Sequence, residues 1–505
     1  MASEIRVDKI NSLSGVGTVT LSPTGVDISG ITTVQTLKVG TGLTASEDGD
    51  VFFTGVCTAT TFAGAHSGSG ANLTSLPAAQ LSGTLPALSA ANLTSIPAGN
   101  LTGALPAISG ANLTGIAATD NVRTGILDVA GIATFRSDVN IPNVNGGQIG
   151  GRRNKIYNGK MDVDQRNSGS SVTLTNNLTT YIVDRFSVQP VALDEATDMS
   201  AQQVDDGPDG FAHSLKVTTN TAESAIGSNE FVSVYQKMEG QDFQDLEYNL
   251  SSAKDITMSF YVKSSITGTF GFTVYRDEPG TDRIINKTYT IDSANTWERK
   301  TITIAGDTGK GIQNTTGAVW WNCWHLAAGS NYDSSISGVW QNYSTTNWAG
   351  GHVQDGVITT AGATWQITGV QLEFGSTATV FEHRPYAEEL SACQRYYYMH
   401  ANGGDTSQYE AIGNASWYNG SEFYTPIHLP TTMRAAPSLD HTSGSNYYYQ
   451  NNAGGGGGFN GFSAMWASSK NVAYLSVTGS SGTQGAAAMI RTASTSAKLG
   501  FSAEL

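Results

Sequence analysis

Charge is scarce in this 505-residue chain: Asp, Glu, Lys and Arg make up 14% of it, against a usual ~25%. Hydrophobic residues are also few, at 39%. One large core is therefore not expected, and solubility falls to hydroxyls, amides and 58 glycines. Bases are scarcer than acids, 27 Lys and Arg against 42 Asp and Glu, and the resulting charge of −15 repels phosphate backbones and anionic lipid. Nucleic acid is thereby excluded as a partner. No run of ~18 apolar residues is present, so no membrane insertion is expected. The N-terminal Met1–Arg6 lacks a basic stretch leading into an apolar one, which points to synthesis in the cytoplasm without a secretion signal. Cys57, Cys323 and Cys393 lie too far apart to suggest a disulfide frame or a zinc site, and the eight histidines show no paired spacing. No cofactor and no metal are expected.

What the sequence does have is a repeat. Ala71-Asn72-Leu73-Thr74-Ser75-Leu76-Pro77 returns as Ala91-Asn92-Leu93-Thr94-Ser95-Ile96-Pro97 and starts again at Ala111-Asn112-Leu113-Thr114, a period of 20 residues. Proline and glycine density excludes helix. So thin a unit cannot bury its own leucines, and three copies wound about one axis would cover them. The repeat predicts a homotrimeric shaft over residues 66–120. Ahead of it, short apolar–polar alternations with glycine at the bends predict a β-rich base, an attachment segment, over residues 1–65. A connector follows over 121–152.

From residue 153 to 384 strand signals are dense, among them Phe270, Phe272 and Val274, then Ile302 and Ile304. They predict a sandwich of jelly-roll type. Pro385, with Glu388 and Glu389 in the following turn and Leu390, Cys393 and Tyr397 at near-helical spacing, opens a short helix. The remainder of 385–505 reads as a small β domain closing with a strand around Leu499–Leu505. The fold class is thus mainly β: a base, a repeat shaft, a jelly-roll sandwich and a C-terminal tip.

Four segments resemble a known family. Arg153-Asn154-Lys155-Ile156-Tyr157-Asn158-Gly159-Lys160-Met161-Asp162-Val163-Asp164-Gln165-Arg166, with Tyr181-Ile182-Val183-Asp184-Arg185-Phe186, resembles the opening of carbohydrate-binding-module-like domains in bacteriophage tail fibres. Ile367-Thr368-Gly369-Val370-Gln371-Leu372-Glu373-Phe374-Gly375 and Cys393-Gln394-Arg395-Tyr396-Tyr397 resemble the closing signature of the same domains. The base and shaft are similar to N-terminal parts of virion proteins from phages of marine bacteria, cyanophages in particular. The resemblance implies a virion tail-fibre subunit. Its N-terminus would join a phage tail or baseplate protein, and its distal domains would bind a host cell-surface glycan or protein.

Catalysis has little to stand on. A polysaccharide-degrading spike needs two acids ~5 to ~9.5 Å apart across a groove. Asp162 and Asp164 alternate as on one strand, but their position in the motif suggests structural hydrogen bonding. Asp194-Glu195 and Glu388-Glu389 read as solvated or helix-start acids. Asp205, Asp206 and Asp209 offer oxygen ligands for calcium but fit a plain turn better. A non-enzymatic adhesin is the expectation, with a structural baseplate or decoration protein and a degrading spike as alternatives. Glycan binding wants flat rings beside amides and carboxylates. One such set is Trp320, Trp321, Trp324 and Trp340 with Asn322 and Asn342, of which Trp320 and Trp324 suit a sandwich core. The other is the predicted receptor site: Trp417, Tyr418, Asn446, Tyr447, Tyr448, Tyr449, Asn451, Phe459 and Trp466, centred on an adhesive loop from Asn446 to Phe459. Three adjacent tyrosines cannot all face one side of a strand.

Overall fold

The computed structural model describes residues 152–505 except 195–196, 335, 404–408 and 464–466, together with the backbone of six strands between residues 10 and 53 and a few residues from 54 to 63. The repeat segment 66–120, with its predicted trimeric packing, and the connector up to residue 151 lie outside the described residues, as do Cys57 and Trp466. The chain divides into two units, Met1–Asp128 and Val129–Leu505.

In the first unit β1 (Ile10–Asn11), β2 (Thr18–Ser22) and β3 (Gly25–Ser29) form one antiparallel sheet, and β4 (Leu37–Val39), β5 (Leu43–Ala45) and β6 (Val51–Phe53) form another.

The second unit opens with a sandwich. Its first sheet runs in the order β16 (Glu298–Ile304), β13 (Ile256–Ser264), β19 (Thr364–Phe374), β11 (Ser214–Thr221), β10 (Asp198–Val204), β7 (Val172–Thr173). The second runs β18 (Gln341–Asn342), β15 (Arg283–Ile291), β14 (Gly268–Arg276), β17 (Ala318–Ala328), β12 (Phe231–Glu239), β9 (Phe186–Val191), β8 (Thr180–Val183). The pairings are antiparallel, and the architecture is jelly-roll-like.

Period-two alternation explains the core. Phe260 and Val262 from β13, Phe270, Phe272 and Val274 from β14, and Trp320 and Trp324 from β17 all point between the sheets and are fully buried. Burying each such side chain contributes roughly 1.5–3 kcal/mol. Gly369 in β19 has φ +60°, and a Cβ there would come within 2.8 Å of Tyr261 and 2.9 Å of Phe211. A side chain is thus barred both by backbone conformation and by space. A short α1 (Gly356–Thr359) precedes β19.

After the sandwich comes α2 (Tyr386–Gln394), at the predicted helix. It stops before Tyr397, which instead begins β20 (Tyr397–Asn402), so its near-helical spacing to Leu390 and Cys393 is not used. Glu388 and Glu389 are helix-start acids in the first turn, and Glu389 is in addition buried, accepting hydrogen bonds from Asn158 N at 2.6 Å and the Arg384 guanidinium at 3.2 Å.

The terminal domain adds β21 (Ala411–Trp417), β22 (Glu422–His428), β23 (Ser438–His441), β24 (Tyr448–Asn452), β25 (Gly455–Phe459), β26 (Val472–Thr478), β27 (Ala487–Thr492) and β28 (Lys498–Ser502). A sheet β20-β28-β23 and a sheet β25-β24-β27-β21-β22-β26 enclose a separate core around Trp417, Phe423, Leu475 and Phe501. The predicted Asn446–Phe459 loop is a hairpin, β24 paired with β25, in which Tyr449 faces Gly458 and Asn452 faces Gly455.

The segments that carry the family resemblance meet where sandwich and terminal domain join. Arg395 reaches across to Glu239 at 2.6 Å, and the Tyr396 hydroxyl donates to the same carboxylate at 2.6 Å. Arg185 lies over the Tyr396 ring at 3.6 Å and pairs with Glu504. Arg166 stacks on Tyr397 at 3.5 Å and also meets Glu504, at 3.1 Å. Asn158, at φ 56°, donates its amide to Val163 O and Asp184 O, closing the opening motif into a turn. Asp164 is used within that turn, accepting from Asn167 N at 2.9 Å and Gly169 N at 2.7 Å, while Asp162 pairs with Lys160 at 2.6 Å.

Candidate functional site

The outer face of the seven-stranded sheet is not left to solvent. Trp321 and Cys323 alternate with Trp320, Asn322 and Trp324 along β17, so they project away from the core on which those residues pack. Cross-strand register sets Lys237 of β12 opposite Trp321, and Tyr275 of β14 on its other side. The chain between β17 and α1 then folds back over this face. Its turn Thr345–Asn347 is capped by Ser344, whose amide donates to Asn347 Oδ1 at 2.9 Å. Trp348 follows directly, its carbonyl accepting from Thr273 Oγ1 at 3.0 Å.

Between sheet and covering segment lies a cleft of about 230 Å³. Phe231, Tyr235, Tyr275 and Trp321 form its floor, Tyr332, Tyr343 and Trp348 come from the cover, and Gln189 supplies an amide. Edge-to-face contacts hold the rings: Tyr275 meets Trp321 at 5.3 Å, Tyr343 at 5.1 Å and Trp348 at 5.5 Å, and Phe231 meets Tyr332 at 5.0 Å. The Lys237 ammonium sits 3.8 Å from the Trp321 ring, and burial lowers its pKa from the ordinary lysine value. Burial, then the hydrogen bond to Asp282 at 2.7 Å, raises the Tyr275 phenol, which stays protonated as a donor. Among the described residues no carboxylate lines the cleft. Its volume lies below the roughly 300–1,000 Å³ of drug-sized ligand sites, which suits a sugar ring or two better than a cofactor. Chemically, its described lining offers stacking surfaces with an amide and hydroxyls, the Lys237 ammonium lying over the Trp321 ring and the Asp282 carboxylate behind the Tyr275 hydroxyl.

A second aromatic depression, about 350 Å³, lies on the other sheet. There Phe211 meets Phe381 at 5.0 Å and Tyr261 at 5.4 Å, beside His383 and Arg299.

The tryptophan cluster of the sandwich divides by parity. Trp320 and Trp324 are core residues, as their spacing suggests, and Trp320 Nε1 donates to Asn322 at 3.1 Å. Trp340 packs on Trp320 and donates to Ala305 O at 2.7 Å, and Asn342 accepts from Arg283. Trp321 alone of the four reaches the cleft. The other cleft residues were not singled out by sequence. Tyr275 and Tyr235 carry a signal in hindsight, each standing out of phase with core residues on its strand, whereas Tyr332, Tyr343 and Trp348 sit in aperiodic chain.

The predicted receptor site of the terminal domain is not one surface. Trp417, Tyr448 and Phe459 are buried in its core, 1%, 0% and 6% exposed, because inward alternation on β21, β24 and β25 commits them to packing. Tyr447 packs against the same core, and Asn446, at φ 54°, turns the chain ahead of β24. Tyr418 is exposed and lies 5.3 Å from Tyr424, which lies 5.5 Å from Tyr474. Tyr449 sits on the same outer face but toward the opposite edge of the sheet, its ring 4.6 Å from the Arg491 guanidinium. Asn451 is exposed on the hairpin, and Trp466 lies outside the described residues. In the sandwich, Asp206 pairs with Lys263 and accepts from Trp297 Nε1.

No family model matches the chain, and no curated protein matches it. Among solved structures it is similar to the enzymatically active domain of bacteriophage CBA120 tailspike protein 4, at 12% identity over 38% of this chain and 19% of that one, with a TM-score of 0.23. It is also similar to a putative sugar binding protein from Bacteroides thetaiotaomicron VPI-5482, at 12% identity over 44% of this chain and 100% of that one, TM-score 0.22. A third is the CBM22-1–CBM22-2 tandem domain of Paenibacillus barcinonensis Xyn10C, at 11% identity over 67% and 99%, TM-score 0.20. These scores are too low for function to be read across.

Proposed function

We propose that this chain is a non-enzymatic carbohydrate-binding adhesin, and that its sandwich takes a short stretch of glycan into the cleft floored by Trp321 and Tyr275. The observation that carries this reading is the cleft itself: ordered aromatic faces, a polar rim and, among the described residues, no carboxylate in the lining. Sugar C–H faces stack on such rings while Gln189, the tyrosine hydroxyls and Lys237 bind hydroxyls or an acidic substituent. In the fuller form of the proposal the chain is a tail-fibre subunit carried on a virion. Its base joins a tail or baseplate protein, its repeat segment trimerises, and three copies of the cleft bind a host surface glycan with avidity no single site supplies. The repeat and the motif resemblance support that form.

Titration of the full chain against host-surface polysaccharide by calorimetry tests the binding. Saturable binding that Trp321→Ala weakens at least tenfold, with no shortening of the polysaccharide, is the expected result. Undiminished binding by that variant would reject the cleft, and depolymerised product would reject the non-enzymatic assignment. Light scattering tests the trimer, which a folded monomer would rule out.

A further inference from the structure

At one end of the sandwich three carboxylates come together from separate loops. Asp194 follows β9, Glu223 follows β11 and Glu230 immediately precedes β12, and one oxygen of each lies within 4.8 Å of the others. Glu223 is 1% exposed and Glu230 8%. One oxygen of Glu223 accepts from Thr197 Oγ1 at 2.6 Å and Asp194 N at 3.1 Å, while the other, Oε1, is buried with no hydrogen-bond partner. Glu230 accepts from Gly227 N at 2.6 Å. The charges that act on the Glu230 carboxyl are the negative ones of Glu223 and Asp194, and among the described residues no Lys, Arg or His pairs with any of the three.

Two buried acids beside a third, without a cation, are costly: each loses its hydration and repels the others. Asp194 and Glu223 meet carboxyl to carboxyl, which without a cation requires a shared proton, and Glu223 Oε1 is buried without a hydrogen-bond partner. We propose that Asp194, Glu223 and Glu230 form a calcium site. Oxygens no more than 4.8 Å apart can share one ion at the ~2.4 Å typical of calcium. The all-carboxylate donor set disfavours zinc, and magnesium holds its waters too firmly for a site built from three protein carboxylates. Asp194 is exposed and provides the entry from solvent. The ion would tie the β9–β10 loop to the β11–β12 loop. Glu230 is joined directly to Phe231 in the floor of the cleft, and its carbonyl accepts from Gly329 N at the start of the covering segment.

Calorimetry and thermal melting of the full chain after EDTA treatment test this. Calcium chloride should bind with one site per chain and raise the melting midpoint by about 5 °C at saturation, with magnesium chloride giving a smaller rise. Glu223→Gln should abolish the calcium-dependent shift. Asp194→Asn, at an exposed position where folding is not at stake, should weaken calcium binding at least tenfold. Equal midpoints in EDTA and calcium would overturn the proposal, because the acids would then be sharing a proton. Unaltered calcium affinity in Asp194→Asn would overturn it as well, by placing the ion elsewhere.

Discussion

The sandwich and the terminal domain both bury one face of an antiparallel sheet and set aromatic residues on the other, yet among the described residues only the sandwich converts them into a cleft. Trp321 and Tyr275 are roofed by Tyr343 and Trp348, which a capped turn and two backbone-directed hydrogen bonds, from Thr273 and Asn286, hold in place. On the terminal sheet Tyr418, Tyr424 and Tyr474 lie toward one edge and Tyr449 toward the other. The number of rings is comparable. What differs is a covering segment, so concavity here is a property of the connection between strands, not of the strands.

The sharpest way to break this comparison is to ask whether the two cores are as alike as they look. Trp324→Ala in the sandwich and Trp417→Ala in the terminal domain should each cost about 3–5 kcal/mol in denaturant unfolding, the range for large aromatic truncations. Because Glu504 and Tyr396 are shared across the junction, both variants should melt in one transition; a separate early transition in Trp417→Ala would show the terminal domain to be independent. A smaller effect is set by pH. Asp184, beside the junction, is wholly buried, and burial lifts its carboxyl to about 7 against the pull of Arg166 and Gln165. From its ordinary value of 3.8 upward the unfolded chain releases a proton that the native protein keeps. Stability should therefore fall as pH rises from about 4 to about 7 and level off above, and Asp184→Asn should flatten that slope in melts across the range.

Next comes binding. Trp321→Ala should lose at least tenfold in glycan affinity, about 1.4 kcal/mol, while keeping the parent's far-ultraviolet circular dichroism. The least affected variant is Tyr418→Ala, on the open sheet, which should change stability by less than about 0.5 kcal/mol and leave glycan affinity unchanged in the same titration. Were Tyr418→Ala to impair binding more than Trp321→Ala, the open face would be the adhesive one.

Much of the sandwich could be read in advance because period-two alternation is local. Phe270, Phe272 and Val274 announce β14 by themselves, and the parity of Trp320 and Trp324 places them inside. The same rule shows that Tyr447, Tyr448 and Tyr449 cannot act as one patch, and Tyr448 is indeed the one turned fully inward. Alternation does not say which face is roofed. Tyr332, Tyr343 and Trp348 reach the cleft through chain without periodicity, held by long-range bonds such as Asn286 Nδ2 to Asn347 O. Composition misleads at Trp417 and Phe459, where aromatic residues beside polar ones look adhesive but fill a small core. The motif Cys393–Tyr397 is legible as a signature, yet its work at the junction depends on Glu239, Arg185 and Glu504, far away in sequence.

That last pairing has a bearing on how the protein is made. Arg185 is buried in the sandwich, and its carboxylate partner lies 319 residues further along the chain. A sandwich folded during translation would hold that guanidinium without Glu504, which lies two residues beyond β28 and emerges last. A product truncated before β28, whether by a nonsense codon or by a nick, carries that defect in a sandwich whose own sequence is intact.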